Sequence, residues 1–305
     1  MADAPQPLVF DTKFQPTADA PAQILPGVAR ITANNPSPFT FTGTNSFLIG
    51  TDTVAVLDPG PDDARHRKAL LDAIGVRRLE AIILTHTHKD HSAGARALRA
   101  VTGAPLWFAG PHRLSRPRRL FELNALAGGC DWGLMPDRVL ADGERLWAGG
   151  LPLIAHATPG HCANHMSFGL EGSEWLFTGD HIMGWNSTLV SVPDGSMADY
   201  LSSLSKVIAL PYRHYLPAHG GPIDDGPAYA RALLSHRRLR NSQIIDAVRS
   251  GARSINQLVA RVYPLLKGSL RFAARLTLKA HIEYLEAEGL LHVDRGLFGT
   301  QLSLA

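Results

Sequence analysis

Three histidines and an aspartate fall within six residues at His86-Thr87-His88-Lys89-Asp90-His91. Neutral imidazole and carboxylate together are the donor set of zinc and similar borderline metals. A merely solvated loop gives no reason for four such side chains at this density. The preceding run Leu79 to Leu84 is short and rich in β-branched residues, which predicts a buried strand, and the Ala-rich segment Ser92 to Val101 predicts a helix. The motif therefore occupies the loop leaving a strand end, where neighbouring side chains can be turned toward one point.

The same arrangement recurs along the chain. A strand over Leu151 to Ala157 ends at Thr158-Pro159-Gly160-His161, one over Trp175 to Thr178 ends at Gly179-Asp180-His181, and one over Arg213 to Leu216 ends at Pro217-Ala218-His219-Gly220. An earlier strand, Thr53 to Leu57, ends at Asp58-Pro59-Gly60-Pro61. Each delivers a His or Asp beside Gly or Pro, the residues that permit sharp turns and close backbone approach. Any one of these residues alone reads as an ordinary loop side chain; the recurrence is the argument.

The elements around these loops are those of an α/β chain. Residues 1–24 are Pro- and Ala-rich without periodicity and predict an irregular arm; Ile24 to Ile31 and Phe41 to Ile49 predict strands, and Asp62 is placed to cap a helix over Ala64 to Ile74. Further elements are a strand over Pro105 to Phe108 and a helix over Met197 to Leu210. Helices over Ala228 to Arg249, from Ser254 to before Pro264 and over Leu270 to Gly289 follow, with two short strands, Leu290 to Val293 and Leu297 to Leu304. Three helices and a hairpin describe a winged helix. The expected division is an arm (1–24), a catalytic domain (25–225) and a helical module (226–305).

An apolar fraction of 45% and a charged fraction of 19% are ordinary for a globular protein of 305 residues. No apolar run reaches the roughly 18 residues of a membrane span, and the N-terminus has no basic and hydrophobic leader, which together predict a cytoplasmic chain. Two cysteines, Cys130 and Cys162, make no disulfide framework. The charge is unevenly spread. Residues 231–305 hold 12 Lys/Arg against 5 Asp/Glu, and residues 1–230 hold 18 against 22. A basic C-terminal quarter is what an anionic partner such as RNA would require, although a solvated helix surface has the same composition. The basic run His112 to Arg119 suits a solvated connector or a lid over an acidic substrate.

In this order, each after a strand, His86, His88, Asp90, His91, His161, Asp180 and His219 resemble the metal site of the metallo-beta-lactamase-fold hydrolases. The phrases Gly43 to Gly50, Thr158 to His161 and Phe177 to Trp185, with the C-terminal winged helix, resemble the lactamase-beta-2-like branch. The resemblance implies an αββα sandwich with a small winged-helix domain and two divalent metals, most simply zinc, with iron and manganese also suited to the ligands. His86, His88 and His161 would bind the first metal, Asp90, His91 and His219 the second, and Asp180 would bridge them. Asp90 is also a candidate proton carrier. Asp58 and His165 would support the site, and His181 and Trp185 would line its substrate wall. Cys162 reads as a packed free thiol.

The implied chemistry is hydrolysis by a metal-bridging hydroxide, without a Ser or Cys nucleophile. Single-stranded RNA is the favoured substrate because of the basic module. The alternatives are a thioester hydrolase resembling glyoxalase II, a lactone or beta-lactam hydrolase, and a winged-helix nucleic-acid binder with a vestigial metal domain. The helical module could equally serve packing or a homodimer.

Overall fold

The computed structural model describes residues 8–296 and 299–305. Two sheets face each other. The first contains β1 (Pro21–Leu25), β2 (Val28–Thr32), β3 (Asn45–Ile49), β4 (Thr53–Leu57), β5 (Arg78–Ile83), β6 (Leu106–Phe108) and β7 (Arg138–Val139), paired in that order. Its first four strands are antiparallel, and β4 to β7 run parallel. The second sheet runs β12 (His214–Pro217), β11 (Trp175–Gly179), β10 (Met166–Leu170), β9 (Leu151–Ala157), β8 (Arg145–Ala148).

Between the sheets lies one apolar layer, in which Phe47, Leu57, Ala81 and Ile83 meet Leu153, Ala155, Phe168 and Phe177. Helices α1 (Ala64–Ile74) and α3 (Gly94–Thr102) cover the outer face of the first sheet through Leu70, Ile74, Ala95 and Leu98, while α2 (Lys89–Ser92) is a single turn within the histidine loop. Across the second sheet, α4 (Met197–Ala209) packs Tyr200, Leu204 and Val207. The result is the expected αββα sandwich. Strands β4 and β5 are buried on both faces, which is why they read as continuous apolar runs rather than alternating ones.

Helix α5 (Gly226–Arg249) belongs to two packing units. Ala230 and Leu233 join the α4 layer, whereas Ile244 and Val248 join a second cluster with α6 (Ile255–Val262), α7 (Gly268–Ala287) and the hairpin β13 (Leu291–Gly296) and β14 (Gly299–Leu304). Ala280 of α7 also packs in the α4 layer, so the C-terminal module is seated on the sandwich through two helices. None of the helices in the described residues is long and apolar enough to cross a membrane.

Several local expectations are corrected. Ile24 to Ile31 is not one strand: Gly27, at φ +76°, turns the chain between β1 and β2, and the pair forms a hairpin that takes in the end of the predicted irregular arm. Helix α1 is capped by Asp63 rather than Asp62. Asp63 has extended backbone angles and accepts from the amides of Arg65 and His66 at 2.8 and 2.9 Å, while Asp62 pairs with Arg67. Strand β10 had no sequence signal of its own, because Met166 to Leu170 is buried throughout and carries Ser and Gly. Of the predicted strand Leu297 to Leu304, Leu297 and Phe298 lie outside the described residues.

Candidate metal centre

The loops after β4, β5, β9, β11 and β12 converge at one edge of the sandwich, and glycine is obligatory at two of them. Gly160 has φ +140°, and a Cβ there would stand 2.4 Å from the Cα of Tyr200. Gly179 has φ +53°, and a Cβ would meet His165 Nε2 at 2.6 Å. These approaches let His161 and Asp180 reach the histidine loop.

Two groups of ligand atoms result. In the first, His88 Nδ1 lies 3.1 Å from His86 Nε2 and 2.8 Å from His161 Nε2, with Asp180 Oδ2 3.6 Å from His161 Nε2. In the second, His91 Nε2 and His219 Nε2 lie 3.5 and 3.4 Å from Asp90 Oδ2, and 3.5 and 3.3 Å from Asp180 Oδ1. Asp180 thus presents one oxygen to each group. All seven residues of the predicted ligand set come together.

The opposite ring nitrogens show what these groups are suited to hold. His161 Nδ1 donates to Leu189 O at 2.7 Å, His88 Nε2 to Asp194 Oδ2 at 2.8 Å, and His86 Nδ1 to Thr85 Oγ1 at 3.0 Å. With its proton spent outward, each ring aims a lone pair at the common point. Three lone pairs within 3.1 Å and no proton between them repel, unless a cation sits among them. The second group behaves alike: His91 Nδ1 donates to Asp58 Oδ2 at 3.0 Å and His219 Nδ1 to Gly43 O at 3.2 Å. Their Nε2 atoms, with Asp180 Oδ1, are buried without a hydrogen-bond partner. The donor chemistry fits a pair of divalent metals.

Electrostatics separates the two groups. Burial, with the neighbouring imidazoles, lowers His86 well below its ordinary value, and burial brings His161 down to about 4. Around the second group the carboxylates prevail: against burial, Asp180 and Asp90 push His219 up to about 9, and Asp90 and Asp180 raise His91. Against the same burial, His219 and His91 hold Asp180 well below the usual carboxylate range, and His91 and His219 do so for Asp90.

Asp58 carries more than turn chemistry. It adopts φ +53°, which costs a non-glycine residue about 1–3 kcal/mol. The conformation is held because its carboxylate accepts from Thr85 N and Thr85 Oγ1, both at 2.7 Å, as well as from His91. His165 accepts the Asp180 amide on Nε2 at 3.0 Å and donates from Nδ1 to Thr158 Oγ1 at 2.8 Å, so as a neutral ring it positions the Asp180 backbone. Burial keeps it neutral.

The two predicted wall residues part ways. His181 is fully buried behind the site, edge-on to Tyr200 at 5.0 Å, because the turn after Asp180 points it into the α4 layer. Trp185 stacks flat on Phe41 at 4.9 Å and lines the chamber beside the ligand cluster. Cys162 is buried, its thiol raised by burial, and makes no metal group. The basic run is an exposed connector at Arg113, Arg118 and Arg119, tied down where Arg116 pairs with Glu122 and Glu283 at 2.6 and 2.5 Å and where His112 is buried.

His112 belongs to a chain that sequence reasoning did not find. Asn164 Nδ2 donates to Thr87 Oγ1 at 2.8 Å, Thr87 meets His112 Nδ1 at 2.9 Å, and His112 Nε2 meets Asp194 Oδ1 at 2.8 Å, opposite the bond to His88. Asp194 is wholly buried and stays ionised against that burial through His112 and His88. In sequence it is only the middle of Pro193-Asp194-Gly195, which signals a turn.

Over the candidate ligand cluster lies a cavity of about 320 Å³, walled by Phe39, Leu126, Met183 and Leu189 and floored by His88, Asp90, His161 and Asp180. The comparisons agree with this geometry. The Metallo-beta-lactamase superfamily matches residues 39–219. A beta-lactamase-like protein 2 homolog of Caenorhabditis elegans is 29% identical over 87% of this chain and 85% of its own. An atrochrysone carboxyl ACP thioesterase of Aspergillus fumigatus is 29% identical over 74% of this chain and 66% of its own. The crystal structure of a metallo-beta-lactamase family protein from Thermus thermophilus superposes with a TM-score of 0.73 at 25% identity, covering 92% of this chain and 99% of that one. With seven ligands on the strand ends of an αββα sandwich and that match across its centre, the chain belongs to the metallo-beta-lactamase superfamily, in the branch of the beta-lactamase-like protein 2 homologues.

Proposed function

We propose that this protein is a dinuclear metal-dependent hydrolase of thioesters, with His86, His88 and His161 holding one metal, Asp90, His91 and His219 the other, and Asp180 bridging. The observation that carries the thioester assignment is the hydrocarbon wall directly over the ligand cluster, formed by Phe39, Leu126, Met183 and Leu189. Bound divalent metals supply a water of lowered pKa and a Lewis acid for the carbonyl. The chain's own residues do the rest. The wall excludes bulk water and seats an apolar acyl group. Asp90, whose side chain is about one third exposed, is the carboxylate on the cavity floor placed to carry a proton.

The leaving group fits that inventory. A thiolate has a conjugate acid near pKa 8.5 and departs without a strong general acid, whereas an alkoxide or amide needs one. Lys89, the one cation lining the cavity among the described residues, is occupied by Gly128 O at 2.8 Å. The thioesterase name borne by the Aspergillus fumigatus relative supports the same reading.

Single-stranded RNA, the substrate favoured by composition, receives less support. Half of the twelve C-terminal Lys/Arg are engaged within their own module. Arg240 stacks on Tyr263 at 4.2 Å, Arg253 donates to Val248 O at 2.7 Å, Arg261 donates to Ala247 O and Ser250 O at 2.8 Å, and Arg275 bonds Asn256. The test is turnover by zinc-loaded protein of acyl-thioesters, a lactone, nitrocefin and a single-stranded oligoribonucleotide. Thioester cleavage is expected to exceed the others in kcat/KM; RNA cleavage with thioesters untouched would overturn the assignment.

A further inference from the structure

Beside the metal cavity lies a second chamber of about 290 Å³. The two share Phe39, Met183, Thr188 and Leu189 as common walls, so they are compartments of one groove. Each is close to the lower end of the roughly 300–1,000 Å³ of a small-molecule site. The far side of the second chamber is built by the C-terminal module, with Tyr263 and Leu266 from the turn after α6 and Leu270 and Ala273 from α7. Its lining is largely apolar, with Asn186, Ser187, Thr188 and Thr277 as neutral polar groups and one charged side chain.

That charge is Arg237, which lines the chamber while only 2% exposed. Its Nη2 donates to Thr188 O at 2.5 Å and its guanidinium lies over the Tyr200 ring at 5.2 Å, but Nε has no partner and no carboxylate pairs with it among the described residues. A buried charge is normally paired or fully hydrogen-bonded, because desolvation is otherwise costly. The surroundings add no negative charge. Burial, together with Arg237 and Arg240, brings His236 down to about 4 and lowers His281 well below its ordinary value. The groove thus has a metal centre at one end and a buried cation without a carboxylate partner in its far compartment.

We propose that the second chamber is the subsite for the acyl part of the substrate, and that it takes an elongated apolar acyl group whose far end carries a carboxylate held by Arg237. This rests on the thioester reading above. The pantetheine-like arm of such a substrate is amide-rich and would leave its polar groups unpaired against Leu266, Leu270 and Tyr263, so the arm leaves through the open mouth of the metal cavity and the acyl group turns inward.

The test compares acetyl, octanoyl and suberyl thioesters of N-acetylcysteamine on zinc-loaded wild type, Arg237→Gln and Ala273→Phe, with melting temperatures to confirm folding. In the wild type, suberyl is expected to show a KM about tenfold below octanoyl, the scale of one charge-assisted contact. Arg237→Gln should erase that preference, and Ala273→Phe, which narrows the chamber from a half-buried position, should lower the suberyl-to-acetyl ratio of kcat/KM by about tenfold. Equal KM for octanoyl and suberyl in wild type, or a ratio unmoved by Ala273→Phe, overturns the subsite while leaving thioester hydrolysis standing. Should no thioester be turned over, the reading of the reaction fails, yet calorimetric binding of monomethyl suberate still decides the chamber. Affinity lost in both variants supports it, and affinity indifferent to them refutes it. If Arg237→Gln does not fold, Arg237→Lys replaces it, with the preference reduced because the shorter ammonium loses the planar fork.

Discussion

The two halves of the metal centre share Asp180 but are built on different principles. The first half, His86, His88 and His161, is all imidazole, and its rings are oriented by a threonine hydroxyl, the buried Asp194 and a backbone carbonyl. The second half, Asp90, His91 and His219, is rich in carboxylate, and the same charges that attract a metal also attract protons to its histidines. Two imidazoles of the first half, His86 and His161, are held neutral for a metal by burial, whereas the second half must give up protons to receive one.

Removing the shared ligand should break the comparison outright. In Asp180→Ala both halves lose an oxygen and the bridge. Several kcal/mol of transition-state stabilisation should go with it, on the order of a thousandfold or more in kcat/KM at about 1.4 kcal/mol per decade. Metal analysis should show fewer than two ions per chain; two ions and retained turnover would refute the assignment. His88→Ala and His219→Ala sharpen the contrast, since each should leave one metal, in opposite halves.

The pH dependence of loading should differ between the halves. His219 sits at about 9 in the metal-free protein and binds metal only when deprotonated. Below that value each unit of falling pH should cost the second half about tenfold in apparent affinity, and more where His91 also carries a proton; above it the dependence should level off. With His161 at about 4 and His86 lowered by burial, those two ligands of the first half should release no protons across the same window, so its slope should be the shallower. Metal titrations at pH 6, 7 and 8, with proton release read calorimetrically in two buffers, measure this. Two sites with equal slopes would contradict the division.

The supporting carboxylates give the next smaller effect. Asp194→Asn should weaken the first half by about 10- to 100-fold and spare the second, and Asp58→Asn should do the reverse. Equilibrium dialysis of the variants against zinc separates these outcomes. Asp58→Asn also tests strain, because Asn tolerates positive φ and should keep the turn while losing the charge on His91.

How much of this was legible in the sequence follows from where each partner lies. The seven candidate ligands and the sandwich could be read because the histidine motif and the four strand ends with Gly or Pro are local features. Asp194 and His112 could not, since 82 residues separate them and neither stands in a motif. The outward turn of His181 and the stacking of Trp185 on Phe41 likewise depend on loop paths that no periodicity reports. Composition made the C-terminal module look like a polyanion surface. Four of its arginines, Arg240, Arg253, Arg261 and Arg295, instead satisfy carbonyls or a ring within the module, which a count of charges cannot distinguish.

The smallest effect concerns the far end of the Asn164–Thr87–His112–Asp194 chain. His112→Gln keeps a donor for Asp194 but loses the fixed ring geometry and the contact with Thr87, a change of about 0.5–1.5 kcal/mol. That corresponds to a loss of up to about tenfold in affinity at the first half, with no change at the second. The second half is oriented differently, His219 by the backbone carbonyl of Gly43 and His91 by Asp58. If His112→Gln leaves zinc affinity untouched while Asp194→Asn weakens it, the chain ends at Asp194, and the His112 bond serves to keep that buried carboxylate ionised. If both weaken the first half in the ratio of their bond losses, orientation of His88 is transmitted through all three side chains.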